Sequence, residues 1–546
     1  MKKITKKIFC FLMLLALVMT VAPAMEVKAT DKVTEPGAVY NPNDSNTDDT
    51  GTIRITDVTE GNTFKVYKII DITYNSGDNT VSYEWATDVS QYVKDDNSNR
   101  VSVENFAKAD EEIRQKLLSA IPAAIKSGAL NDLQYGNTLT ATGNDNEDSA
   151  ETDAVVEMNN VAIGGYLVIP TSSTDVYQMM LSIIQPKVID GVYKTVSQEI
   201  VAKKEPINID KTVNDTTIGD IQKLTYTIVA DVPTYDAGAT YKTFAIGDKI
   251  DQELIIDMNT MKVYGVEDDD SETLLTTKTD YTQTTQNANL NNDVGAADKY
   301  KNQTFVLDFT YDNIKTYSKI KVIYDVTLKV DEDTAGEHNN NVILKYSHYP
   351  FTDGNVAYDE ADVTIKSYKI EVTKTDDNTA SPTKLTGAKF DVYLKVADDG
   401  NATSDTLTTL KIYGKNAGDI KINTDGFKSV PQLPNGSYIK VGSLIEDTGK
   451  SIYTIDGLAA GTYYLVETVA PNGYTLPSEA FEVIFSDATA TDSDYIIEKT
   501  ITNSSGFTLP ETGGTGTVIF TVAGVSLMLV AVIAFFLLRK REVSKK

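Results

Sequence analysis

The sequence predicts a mostly β protein: three tandem sandwich domains, the first carrying a helical insertion, with an export signal ahead of them and one transmembrane helix behind. Three observations predict it. Short runs of alternating apolar and polar residues recur along the chain, and a period of two is the mark of half-buried strands. The apolar spacing changes to a helical period across 103–130. A length of 546 residues suits about three domains of roughly 100 to 200 residues each.

The two ends are the most specific parts. Residues 1–29 open with Lys2, Lys3, Lys6 and Lys7, continue through an apolar core from Ile8 to about Ala22 and close on small residues. That is the pattern of a secretory signal peptide, with Ala22-Pro23-Ala24 or Val27-Lys28-Ala29 as cleavage sites. Cys10 lies inside the apolar core, which argues against a lipoprotein-type signal. It is also the only cysteine, so disulfides do not hold the exported chain together. At the other end, Leu509-Pro510-Glu511-Thr512-Gly513 precedes a Gly/Thr spacer, an uncharged apolar run over 518–538 and a basic tail over 539–546 that begins Arg539-Lys540-Arg541. The run is long enough to cross a bilayer as a helix, and the basic cluster keeps the tail cytoplasmic. A pentapeptide alone recurs by chance, whereas this order resembles the cell-wall sorting signal of Gram-positive surface proteins. The resemblance implies that sortase cuts between Thr512 and Gly513 and passes the Thr512 acyl group to an amine.

Composition narrows the function. The formal net charge is -28, and removing the two basic ends makes the exported part more acidic still. Such a surface disfavours nucleic acid and anionic membranes and favours solubility. Two histidines and one tryptophan stand against 30 tyrosines, so imidazole for catalysis is scarce and a strand-favouring aromatic is abundant.

Residues 30–51 show no periodicity and read as a disordered or extended lead-in. Strands follow at 52–55, 63–70 and 81–85. Phe106, Ile113, Leu117, Leu118 and Ile121 then recur at helical spacing, with Pro122 marking a break or a second start. The acidic segment 142–152 reads as a solvated loop, because the ligand spacing of a calcium loop is missing, and strand returns at 165–169. This first domain, 30–204, offers no catalytic constellation. No cofactor and no metal site is expected anywhere in the chain.

The middle domain, 205–366, opens with an oddity. Ile207, Ile209, Lys211 and Val213 share one face of a strand, so a lysine points where apolar residues point. Asp248 likewise shares a face with Phe244 and Ile246, and Asn340 with Val342, Leu344 and Tyr346. The third domain, 367–505, repeats the pattern: Lys374 with Ile370 and Val372, Glu467 with Tyr463 and Leu465, Asn503 with Tyr495, Ile497 and Ile501. The separation from lysine to asparagine is 129 residues in both.

Chemistry explains why these types belong together. Burial lowers the pKa of an amine and raises that of a neighbouring carboxyl, which yields a nucleophilic lysine and a neutral acid. The acid can polarise an Asn carboxamide and handle protons while the amine attacks and ammonia leaves, forming a Lys–Asn isopeptide bond. The plainer alternative is a set of buried polar groups satisfied by hydrogen bonds, or a lysine paired with a carboxylate.

The string Tyr463-Tyr464-Leu465-Val466-Glu467-Thr468-Val469-Ala470-Pro471-Asn472-Gly473-Tyr474 closely resembles the E-box of Gram-positive pilins and related adhesins with CnaB-type, immunoglobulin-like domains. The resemblance implies that Glu467 promotes a bond between Lys374 and Asn503. Asp210-Lys211-Thr212-Val213-Asn214-Asp215 and the later Asn-x-x-x-Leu-x-Tyr pattern resemble the middle domain of major fimbrial subunits. Carried over, Lys211 bonds Asn340 with Asp248 as the acid, and Asn341 is the neighbouring competitor. In major pilins a lysine near the end of the first domain accepts the acyl group of another copy, often after Tyr-Pro. That motif is not intact here: Lys203 keeps the position and Lys187 keeps the preceding proline, and position favours Lys203.

The expectation is therefore the backbone subunit of a sortase-assembled pilus, exported and attached to the cell wall. Its partners would be other copies of itself, sortase, ancillary pilins, peptidoglycan and a host ligand. The alternatives are a monomeric wall-anchored adhesin whose first domain binds a host ligand, and a secreted enzyme. Scarce histidine and an exported chain without cysteine argue against most hydrolase sites, while carboxylate-only chemistry stays open to an enzyme.

Overall fold

The computed structural model describes residues 31–32, 50–75, 80–143, 153–189, 192–291, 296–331, 334–424, 427–486, 495–505 and 515–543. The expected signal peptide, most of the acidic segment 142–152 and the pentapeptide 509–513 lie outside the described residues. The chain divides into two compact units. One comprises Met1–Thr216, Leu224–Thr327 and Glu337–Ile365; the other comprises Thr217–Lys223, Leu328–Gly336 and Lys366–Lys546.

In the first unit, Thr80–Trp85, Thr63–Asn75, Gly164–Ser172 and Met180–Ile184 are neighbours in one sheet, and a second sheet sets Thr50–Thr59 between Gln198–Val201 and Asp153–Ala162. Alternation turns Ile53, Ile55, Phe64, Val66, Val156 and Val168 into a shared core. The expected helical stretch is three short helices, Val103–Lys108, Glu111–Leu118 and Ile121–Lys126. Ser102 caps the first helix and Asp110 explains the restart of the second, each side chain accepting from a backbone amide of the first turn that follows it. Pro122 sits in the first turn of the third helix, as a start rather than a break. The restart at Asp110 shifts the helical phase, so Ile113, expected inward, is 47% exposed.

The same unit continues with a sheet in the order Ile209–Val213, Lys223–Asp231, Lys319–Leu328, Leu254–Val266 and Glu272–Leu274. Another sheet runs Tyr281–Ala288, Gln303–Phe309, Phe244–Ile250 and Gly336–Ser347. Strict alternation buries Leu224, Tyr226, Ile228 and Ala230 on one strand and Ile320, Val322, Tyr324 and Val326 on another. Tyr349 and Phe351, from the far end of the expected middle domain, join the core cluster that holds Phe106 and Leu117.

In the second unit the later part of Val356–Asp376 lies between Ile452–Leu458 and Ile496–Asn503. A six-stranded sheet places Gly436–Ser443, Lys389–Ala397, Gly461–Val469 and Phe481–Phe485 in succession. Ile370, Val372, Phe390, Val392, Leu465 and Ile501 share the core. The helix Thr515–Val543 follows the sorting motif, and its stretch Phe520–Leu537 has a mean hydropathy of 2.6. Those 18 residues rise about 27 Å as an α-helix, close to a hydrocarbon core.

Candidate functional site

Both sequence-predicted constellations assemble. In the first unit Lys211 enters from Ile209–Val213, while Asp248 and Asn340 enter from the paired strands Phe244–Ile250 and Gly336–Ser347 of the other sheet. Asn340 stands opposite Ile250, two residues on from Asp248, so the acid and the amide share a face. The Lys211 Nζ donates to Asn340 Oδ1 at 2.5 Å and also to Asp248 Oδ2. Lysine and aspartate side chains are both fully buried. Asn341 is half-buried and paired with Lys249, on the opposite face of the strand, which separates it from the Lys211 amine.

Sequence reasoning missed one member. The Tyr324 hydroxyl donates to Asp248 Oδ2 at 3.0 Å and accepts from Asn340 Nδ2 at 2.8 Å, so it stands between the acid and the nitrogen that would leave. Its ring stacks on Tyr226 at 5.7 Å, and the Lys211 amine lies 5.3 Å from the Tyr226 centroid. The signal was present in the alternation of Ile320, Val322, Tyr324 and Val326, where one apolar-face residue carries a hydroxyl.

In the second unit Lys374 and Asn503 lie on neighbouring parallel strands, with Lys374 opposite Ile501 and Asp376 opposite Asn503. Lys374 Nζ donates to Asn503 Oδ1 and, at 3.2 Å, to the Ile501 carbonyl. Glu467 comes from the facing sheet. Its Oε1 accepts from Asn503 Nδ2 at 2.8 Å, and its Oε2 lies 3.8 Å from the Lys374 amine. Here the acid meets the amide nitrogen directly, whereas Tyr324 intervenes in the first unit. The local sequence explains the docking. Tyr474 N donates to Pro471 O across a turn whose third residue, Gly473, adopts φ +87, a value a side chain would strain. Thr475 N then donates to Ser504 O, which fixes this segment beside Asn503.

Electrostatics favour the same chemistry at both places. Burial pushes the Lys211 and Lys374 amines down from their ordinary value and the Asp248 and Glu467 carboxyls up, with the mutual attraction of each pair opposing that trend. The proton therefore resides on the carboxyl more readily than it would in water.

The acceptor candidates differ in setting. Lys203 lies between Gln198–Val201 and Lys204–Glu205, its side chain 34% exposed and ion-paired to Glu111 Oε1 at 3.0 Å. Lys187 lies in Pro186–Ile189, its backbone opposite Lys194. The cleavage motif Leu509, Pro510, Glu511, Thr512 and Gly513 falls outside the described residues.

Sandwiches with buried Lys–acid–Asn groups, ahead of a sorting motif and an apolar helix, define a wall-anchored surface protein. Comparison with known proteins agrees. Residues 368–501 match a SpaA-type prealbumin-like fold domain and residues 501–545 the LPXTG cell wall anchor motif. The chain is 26% identical over 453 residues to fimbrial subunit type 1 of Actinomyces viscosus, covering 77% of this chain and 80% of that one. It is 23% identical over 489 residues to the trypsin-resistant surface T6 protein of Streptococcus pyogenes, covering 84% and 76%. The solved T6 backbone pilin of serotype M6 Streptococcus pyogenes, with a modular three-domain structure, aligns over 80% of both chains at 19% identity and a TM-score of 0.52, a likeness of fold. The chain is a multi-domain, mostly β protein that carries a prealbumin-like domain and an LPXTG anchor, located at the cell wall.

Proposed function

We propose that this chain is the backbone subunit of a covalently polymerised cell-surface pilus, built of domains at 30–204, 205–366 and 367–505. What carries the reading is the pair of buried Lys–acid–Asn groups, each with its lysine and asparagine 129 residues apart, upstream of a wall-anchor motif. In each, the neutral amine attacks the Asn Cγ, the Cγ–Nδ2 bond breaks, and the acid takes the amine proton and supplies one to departing ammonia. Glu467 reaches Nδ2 directly; Asp248 reaches it through the Tyr324 hydroxyl. Each crosslink ties a strand near the start of its domain to one near its end, so axial tension passes through a covalent bond instead of unzipping the sheets between.

Polymerisation joins the Thr512 carbonyl of one copy to Lys203 of the next. Lys203 is part-exposed, while Lys211 and Lys374 are sealed in their cores. Sortase first holds the Thr512 acyl group, and the last copy passes to peptidoglycan. Ancillary subunits and a host ligand are further partners in this reading, and the chain's only chemistry is on itself.

Mass spectrometry of wall-extracted material tests it. A branched peptide joining the Thr512 carboxyl to Lys203 of the same protein is the expected result. Joining at Lys187 would move the acceptor. Thr512 found only on wall peptide would leave a monomeric adhesin and overturn the pilus.

A further inference from the structure

We propose that Asp251, Glu253 and His338 form a binding site for one divalent cation of the zinc class. The three residues each offer a ligand atom, and those atoms lie within 4.8 Å of one another. Asp251 and Glu253 belong to the turn that leaves Phe244–Ile250, and His338 to Gly336–Ser347, so two segments of the fold supply the donors. The backbone holds these segments in register: Asp251 N donates to Asn339 O at 3.0 Å, and Leu254 N closes the turn on Asp251 O at 3.1 Å. Gln252 Nε2 donates to Glu253 Oε1 at 2.9 Å and orients that carboxylate.

The donor set selects the ion. Imidazole nitrogen with two carboxylate oxygens suits zinc and its neighbours, whereas calcium gathers six to eight oxygens and magnesium keeps an octahedral oxygen shell. Two carboxylates this close repel, and a cation held between them relieves that repulsion. The imidazole is only 2% exposed, so the third donor is fixed by the core rather than carried on a mobile surface. Water would complete the coordination on the half-buried carboxylate side.

Position supplies a consequence. His338 precedes Asn340 by two residues on the same strand face, so the ion would clamp the 251–254 turn to the strand that carries the Lys211 contact. The site does not depend on whether the isopeptide bond forms. Neighbouring spacing in the sequence could not reveal it, because the ligands come from distant parts of the chain.

The test uses the full chain in detergent with Zn²⁺ alone, read by equilibrium dialysis and by ¹⁵N-histidine NMR. The chain has two histidines, so His348 is an internal control. One Zn²⁺ per chain should bind and the His338 signals should move while those of His348 stay. Affinity should fall at least tenfold in His338→Gln and in Glu253→Gln. Ca²⁺ at the same concentration should leave His338 unmoved. Should His338→Gln fail to fold, Glu253→Gln and Asp251→Asn, on the turn, carry the test. Unchanged affinity in the turn variants, a stationary His338 signal at saturation, or Ca²⁺ binding as tight as Zn²⁺ would overturn the proposal.

Discussion

Replacing Glu467 by glutamine isolates the acid while keeping its volume and an oxygen to accept from Asn503 Nδ2. What it removes is the exchangeable proton between the Lys374 amine and the departing ammonia. The variant should therefore keep its Asn503 nitrogen and lose one of the ammonia deficits that the parent shows against its own sequence mass. Its stability loss can be worked from the loop. The bond would close 129 residues, and the loop-closure relation used for disulfides gives about 5 kcal/mol for a loop of that length. In a unit of this size that corresponds to roughly 10 to 20 °C in the melting temperature. Intact-mass spectrometry and calorimetry on the same sample read both quantities. A variant with the same ammonia deficit against its sequence mass as the parent would refute Glu467 as the promoter. A variant that retains ammonia yet melts within a few degrees of the parent would refute the stabilising role.

Tyr324→Phe keeps the stack on Tyr226 and deletes the hydroxyl, so Lys211–Asn340 closure should slow by roughly 100-fold while Lys374–Asn503 forms normally; equal rates in a time-resolved mass experiment would exclude Tyr324 from proton transfer. Lys203→Arg keeps the ion pair to Glu111 but removes the nucleophile, and should abolish the high-mass ladder on denaturing gels, whereas Lys187→Arg should leave it. Acid should act through His348 and Asp236 with opposite signs. Burial pushes His348 down to about 4, so its contribution is intact above about 6.5 and is lost as pH falls to 4, by about 3 kcal/mol. Burial pushes Asp236 up to about 6, so its contribution rises as pH falls from about 6 toward 3.8. Denaturant midpoints at pH 7 and pH 4 should therefore show His348→Asn gaining acid stability relative to the parent and Asp236→Asn losing it; parallel profiles for all three would contradict both assignments.

Much of this protein was legible without coordinates because its signals are local. Alternation with a period of two placed Lys211, Asp248, Asn340, Lys374, Glu467 and Asn503 on apolar faces, and all six are buried. The terminal apolar run needs only its own length and charge to read as a span. What alternation cannot say is which face meets which. Only the tertiary structure separated Asn340 from Asn341, because a strand's two faces become distinct when one is set against Lys211. It alone showed that Lys374 and Asn503 are neighbours in one sheet whereas Lys211 and Asn340 face each other across two, although the spacing in sequence is identical. The helix cap at Asp110 resets the phase that an unbroken period assigned to Ile113. Tyr324 and the cluster of Asp251, Glu253 and His338 depend on contacts between segments far apart in the chain. The sequence by itself determined the strands, their buried faces and the C-terminal apolar span; packing decided which buried groups touch, because a pairwise distance is a property of the folded chain and not of any window along it.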